Sequence, residues 1–353
     1  MPAYFDMGFC VRKPSWHGEE TLLDHHPTLE EARLIAHPWE PVREKLYRKQ
    51  PEKVSVAIDS MKSALESGSL TPEMLEAEMN LLLERSFNEV PDFQAIKRDD
   101  TNALLHVAKD SFGLFPNYGL YEIMEVFLGQ GAVIETGGTV NGGRQVYLLA
   151  YLPEPFQVPG DTSATYPFLA ILNAHDGTSA LRLLPTDIRV VCWNTFNYAS
   201  LIAEQTGVQY TFKHTATVAE RVEEAKTALS QVRQQSHKYL ELATELTGLT
   251  VDDEALSDFL IEFLPSPEEH GEVISDRVRE NIATARKAFK QIYLDSPTTE
   301  GIRGTGYGLF QAAGEYLDHV RGYRNRDTYL GRTVLSPDRN KANALKLVRA
   351  IAR

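Results

Sequence analysis

Residues 166–198 read YPFLAILNAHDGTSALRLLPTDIRVVCWNTFNY, and this stretch decides the fold class. From Phe168 to Leu172 every position is apolar, with no alternation, as a strand covered on both faces requires. His175-Asp176-Gly177-Thr178 follows, and Asp-Gly tolerates the positive φ angles of a tight turn. Residues 180–191 return as the partner strand, giving an antiparallel hairpin with one fully enclosed arm.

The same grammar extends on both sides. Residues 132–135 and 145–152 form a second hairpin around a glycine-rich turn, Gly137 to Gly143, that contains Asn141-Gly142. Upstream, Asn117 opens an amphipathic helix to Phe127, with Leu120, Ile123, Met124 and Phe127 on one face. Residues 104–109 alternate as a strand does, and 208–214 read as the last strand. Thr217 and Glu220 then make a capping box. Val218, Val222, Ala225, Leu229, Val232, Ser236, Tyr239, Ala243 and Leu246 follow at alternating steps of four and three, a heptad seam ending at Gly248. Such a seam packs on its own sheet or a neighbouring helix, or joins two copies of the chain. Further helices are expected at 252–264, 276–293, 306–321 and 339–351.

The first 50 residues show no sustained period and read as irregular structure with short strands, for example around Trp39-Glu40-Pro41-Val42. Residues 51–86 are helical in two pieces, the second starting at Thr71-Pro72-Glu73 with proline in the first turn. The expected architecture is therefore α+β: an antiparallel sheet of hairpins covered by helices, a long heptad-patterned helix and a helical C-terminal region. The divisions fall at 1–95, 96–216, 217–320 and 321–353.

A chain of 353 residues with 42% hydrophobic and 24% charged residues sits near the globular average. No apolar run is long enough for a membrane span, and residues 1–18 lack the pattern of a signal peptide. Cys10 and Cys192 form no framework or CxxC pair, so a reducing, cytoplasmic setting is expected. The net charge is −13, yet from Arg321 to Arg353 nine basic residues face only Asp327 and Asp338, a local +7. A second basic cluster comprises Arg43, Lys45, Arg48, Lys49 and Lys53.

Enzymatic signatures such as HExxH, a Walker A loop or GxSxG are absent from the sequence, and no cofactor is expected. His25-His26 lacks ligand spacing, so no metal is expected either. Gly304-Thr305-Gly306-Tyr307-Gly308 reads as a helix start capped by Thr305 rather than a phosphate loop. The richest polar cluster is in the opening hairpin: Asn173, His175, Asp176, Thr178, Ser179, Arg182, Asp187, Arg189 and Asn194. Turn geometry explains Asp176 and Gly177, and Asn194 with Thr195 suits a helix start near Phe196. Arg182 and Arg189, set among apolar residues, need a partner: Asp187, Asp176 or a bound phosphate.

Several blocks of the chain resemble the phage/plasmid-like protein family, a domain of unknown function from phages, plasmids and mobile elements. The blocks are Pro14-Ser15-Trp16-His17-Gly18, Arg98-Asp99-Asp100-Thr101, residues 173–179, Arg189-Val-Val-Cys-Trp-Asn-Thr195 and the helix from Gly308 to His319. They span most of the chain. Ser15, Trp193, Gly304 and Gly306 depart from the pattern. The resemblance carries no catalytic residues; it implies a setting in mobile-element DNA metabolism. A sheet of hairpins crossed by a helix, and the run Asp110 to Gly119, are similar in outline to phage single-strand annealing proteins.

The expected function is non-enzymatic binding or annealing of single-stranded DNA by a homo-oligomer, with no membrane association. The residues expected to meet nucleic acid are Lys97, Arg98, His175, Arg182, Arg189, Asn194, Arg321, Arg324 and Arg326, with Trp193, Tyr198, Tyr323 or Tyr329 as stacking platforms. The alternatives are a nucleic-acid hydrolase built on His17, His175 and Asp176, and an accessory host-interaction protein with no catalytic site.

Overall fold

The computed structural model describes residues 5–11, 20–49, 51–69, 71–189, 210–212, 232–321 and 339–352. In chain order the first elements are β1 (Phe5–Cys10), β2 (Thr21–Leu22), α1 (Leu29–Ala36), β3 (Pro41–Lys49), α2 (Pro51–Glu66), α3 (Pro72–Ser86), β4 (Phe87–Arg98) and β5 (Leu104–Lys109). Then come α4 (Tyr118–Leu128), β6 (Val133–Val140), β7 (Gln145–Tyr151), β8 (Phe156–Gln157), β9 (Ala164–Ala174), β10 (Leu181–Arg189) and β11 (Tyr210–Phe212). The helical region holds α5 (Val232–Thr247), α6 (Asp253–Phe263), α7 (Asp276–Asp295), α8 (Gly306–Glu315) and α9 (Arg339–Ile351).

The fold is the expected mixture of antiparallel sheets and helices, the short β1–β2 pairing being the one parallel pair among the described residues. The larger sheet runs β11-β10-β9-β7-β6-β1-β2, with β8 on the side of β9. β9 lies between β7 and β10, which is why its apolar run shows no alternation. Leu169 and Ile171 pack with Leu120, Ile123, Met124 and Phe127 of α4. Phe168, Ala170 and Leu172 pack on the opposite face with Tyr147, Leu149 and Tyr151. All four apolar residues expected on α4 are fully buried.

Two local expectations change. The glycine-rich segment is not all turn: β6 continues to Val140, and only 141–143 turn the chain. A Cβ at Gly138 would lie 2.7 Å from the Tyr147 hydroxyl, so glycine there serves close packing across the sheet. The first 50 residues are also more regular than expected. β1 joins the large sheet through β6, about 130 positions later, and β3 pairs with β4 across the intervening helices. The boundary drawn at 95/96 therefore falls inside β4. Those partners are remote in sequence, and β3 is exposed on most of its length, so neither hairpin spacing nor alternation marks it.

β3, β4 and β5 form a second sheet, whose first two strands project as a ribbon tipped by the α2–α3 hairpin. Thr71 caps α3 through Met74, as its sequence indicates.

In the helical region, the described half of the heptad seam is consumed within the chain. Val232, Ser236, Tyr239, Ala243 and Leu246 are all buried. Ser236 donates to Asp187 at 2.5 Å, and the Tyr239 and Tyr307 hydroxyls meet at 3.0 Å. Positions 218–229 lie outside the described residues. Thr305 caps α8 through Gly308, and the glycines on either side of it bond the α5–α6 connection: Val251 donates to Gly304 and Gly306 donates to Leu249. That loop is a packed junction.

α8 runs into a π-helical turn, Tyr316–Val320. Lys341 of α9 reaches Asp318 of this turn at 2.6 Å, both side chains 1% exposed. Breaking a buried ion pair by removing one member is costly, because the other keeps its desolvation penalty. Lys341→Met is expected to cost about 3–5 kcal/mol in urea denaturation. A loss below about 1 kcal/mol, the scale of a surface pair, would show that this contact does not hold α9 on the π-helical turn.

Candidate functional site

The two sheets meet α4 at a polar corner built on Trp39 and Glu40. Asn117, expected to cap α4, makes no side-chain cap. The Glu40 carboxylate does it instead, accepting the backbone N–H of Asn117 at 2.7 Å and of Tyr118 at 3.0 Å. A carboxylate suits the positive end of a helix. Burial nonetheless raises the Glu40 carboxyl above its usual range, against the lowering by those two N–H groups. Relieved of capping, the Asn117 amide donates to the Trp39 carbonyl at 2.8 Å and accepts from His175 Nε2 at 2.8 Å.

His175 is thus a fully buried strut between the β9–β10 turn and the start of α4. Its backbone N–H donates to the Arg144 carbonyl at 2.7 Å, and its ring meets Trp39 edge-on at 5.6 Å. Arg98 covers Trp39 from another side, its guanidinium carbon 4.4 Å from the ring centroid, and forks onto Asp100 at 2.8 and 2.6 Å. Gly143, at φ +92°, closes the corner; a Cβ there would come within 2.9 Å of Arg98 and 3.0 Å of Trp39. Behind it, Asp6 accepts the N–H groups of Gly142 and Gly143. The centre of the corner, Trp39, Asn117 and His175, is buried, while the Glu40 and Asp100 carboxylates are partly exposed at its edge.

His175 and Asp176 do not form an acid–base pair. Asp176 accepts the backbone N–H and hydroxyl of Thr178. His17 lies outside the described residues. Among the described residues no group of three or more His, Cys, Asp or Glu side chains is placed to hold a metal. His25 sits between Asp24 and Glu31, while His26 bonds the Ile134 carbonyl.

Among the described residues, the others nominated from the sequence lie on separate elements. Lys97 pairs with Glu44 at 2.5 Å on the ribbon. Arg182 is opposite Leu172 and Arg189 opposite Thr165 in an unbroken register. Seven residues apart on one strand, the two positions fall on opposite faces of the sheet. The carboxylate proposed to serve them, Asp187, is instead bonded by Ser236. Arg321 borders a cleft of about 370 Å³ between α6, α7 and α9, floored by Phe263, Ile282 and Leu317. Asn194, Arg324 and Arg326 lie outside the described residues, as do Trp193, Tyr198, Tyr323 and Tyr329.

Sequence reading saw the Arg43–Lys49 cations but missed the rings beside them. Tyr47 pairs with Glu89 and Lys49 with Phe87, so Tyr47, Lys49 and Phe87 share one face of the ribbon. Tyr47 is 52% exposed, Phe87 39% and Phe93 38%, and Phe93 stands opposite Lys109. Arg48 and Lys49 make no ion pair among the described residues, and the Lys45–Glu89 pair is open to solvent. Exposed rings interleaved with cations are the ingredients of a surface for unpaired bases and phosphates. The signal was invisible locally because Tyr47 and Phe87 are brought together only by the β3–β4 register.

The chain belongs to the family described as Domain of unknown function (DUF932), which matches residues 104–342, from β5 into α9. The ribbon and its helical tip precede that match. No curated protein and no solved structure matches the chain. Among the described residues no helix is long and apolar enough to cross a membrane.

Asp187 joins β10 to α5, and burial pushes its carboxyl up to about 7, against the lowering by Ser236. A carboxyl whose pKa rises on folding favours the folded state below its unfolded value near 3.8, and that advantage is lost as pH climbs towards 7. Asp187→Asn is expected to remove this component, at most about 1.4 kcal/mol per pH unit across that window. Denaturation midpoints of both proteins at pH 4.5, 5.5 and 6.5 test it; parallel curves would show that Asp187 does not titrate there.

Proposed function

We propose that this protein binds single-stranded DNA without catalysing a reaction on it, through the exposed β3–β4 ribbon. The observation that carries the reading is the shared face of Tyr47, Lys49 and Phe87: two exposed rings with a cation beside Tyr47 and opposite Phe87, Glu89 completing the face. Lys45 shares that face, two positions before Tyr47, whereas Arg48 and Lys109 fall on the reverse face of the sheet. The resemblance of Arg98–Thr101, 173–179, 189–195 and 308–319 to the phage/plasmid-like protein family supports a role in mobile-element DNA metabolism, with annealing during recombination as the fitting task. The nominated Arg98 and His175 act in this reading as supports: they hold the base of the ribbon against α4 and the large sheet. The buried His175, and Asp176 turned onto Thr178, weigh against the hydrolase alternative.

Binding of a fluorescent unstructured oligonucleotide at rising salt tests this. The two cations of that face, Lys45 and Lys49, predict a log–log slope of about −1.4 for single strands. Tyr47→Ala and Phe87→Ala are each expected to weaken binding by about 5- to 150-fold, the equivalent of about 1–3 kcal/mol per stacked base. Lys49→Glu should flatten the salt slope. Absence of binding at low salt, or binding indifferent to all three substitutions, sinks the proposal.

A further inference from the structure

The α2–α3 hairpin at the end of the ribbon carries apolar side chains that the described residues leave in solvent. Within the hairpin, Val54, Ala57, Met61 and Ala64 of α2 are half-buried, as are Leu75 and Leu81 of α3. They form the seam that joins the two helices. Ile58 and Leu65 each follow a seam position by one residue, and Met79 follows Leu75 by four. In an antiparallel pair these offsets rotate all three side chains to the same side of the hairpin. Their exposures are 41%, 46% and 51%. Among the described elements α2 packs chiefly on α3, and α3 on α2 and β4.

We propose that this face docks a second copy of the chain, α2 of one copy lying against α3 of the other. One charge pair fits that arrangement. Among its described side chains α3 carries Glu76 and Glu78 and no cation, so α3 against α3 would set like charges together. α2 offers Lys62, which is exposed, makes no ion pair among the described residues, and shares the apolar face through Ile58 and Leu65 at spacings of four and three. Its complement is Glu76, equally exposed and three positions before Met79. A two-fold interface repeats each Lys62–Glu76 contact, so one copy needs nothing it does not itself supply. Size also fits. α2 has 16 residues, about 24 Å of helix, and two helices side by side are about 20 Å wide. One face is thus about 500 Å² per copy, near the lower limit of specific interfaces, which matches a dimer that dissociates in the micromolar range. The heptad seam, the other surface for self-association, is buried within the chain over its described half. This proposal stands independently of nucleic-acid binding.

Sedimentation velocity on the full chain from about 0.5 to 100 μM tests it, with mass rising from 39.6 kDa towards twice that value. Ile58→Glu with Met79→Glu is expected to raise the dissociation constant about 100-fold or more. Lys62→Glu and Glu76→Lys should each raise it about tenfold, and together restore it, because the swapped charges meet again across the interface. Far-UV circular dichroism and thermal melting of each variant should match wild type, since every altered side chain is exposed. A chain that stays monomeric throughout, or an oligomer unmoved by these substitutions, overturns the proposal. Single charge reversals that weaken it without mutual rescue overturn the α2-against-α3 arrangement.

Discussion

The carboxamide of Asn117 is the point on which the parts of this molecule are hung. It donates to the Trp39 carbonyl, where the chain leaves α1 for the ribbon, and accepts from His175, where β9 turns into β10. Leaving such a buried group unpaired costs about 1–3 kcal/mol, so the three segments are held in one geometry or not at all. Capping is delegated to Glu40, which frees the amide for this work, and Arg33 lies 3.6 Å from the same carboxylate. The Arg98 guanidinium lies over Trp39 and ties the root of β4 to the same joint. The ribbon therefore projects from a fixed base, although its outer length is exposed.

Around that joint the molecule separates rigid and exposed parts. One side of the large sheet is sealed by α1 and α4, and the helical region closes on its own aromatic core around Phe259, Phe289 and Tyr307. Ser236 with Asp187 links the two, a contact that burial makes sensitive to proton concentration. By contrast the ribbon and its helical tip keep rings, methionines and lysines in water. Exposure on that scale is tolerated where a surface meets something else.

What could be read in advance follows from the range of each signal. The β9–β10 hairpin, α4, the capped start of α3 and the C-terminal helices were legible because their determinants lie within a few residues: Asp176-Gly177, the spacing of Leu120 to Phe127, Thr71-Pro72. β1 and β3 were not, since their partners are set by tertiary contact. The polar cluster of 173–194 shows the same limit from the other side. His175 looked unexplained because its partner, Asn117, is 58 positions away, and Arg182 and Arg189 looked like a pair because sequence proximity hides the alternation of a strand. Polar residues left over from local reasoning thus marked long-range joints.

An overall charge of −13 argues weakly against a nucleic-acid surface once charge is located. Screening at physiological salt confines the reach of an exposed charge to about 8 Å, so a phosphate on the ribbon feels its neighbours far more than the body. On β3, Arg43, Lys45, Arg48 and Lys49 outnumber Glu44, leaving a net +3 on nine residues. Glu89 partly neutralises Lys45, but an exposed pair of this kind is weak enough for a phosphate to displace. The acidic excess lies elsewhere, including α3 at the tip, where it would repel a strand and confine it to the ribbon. Local sign, ring exposure and a rigid root set the chemistry of this surface, and net charge governs only how strongly the rest of the molecule stays out of it.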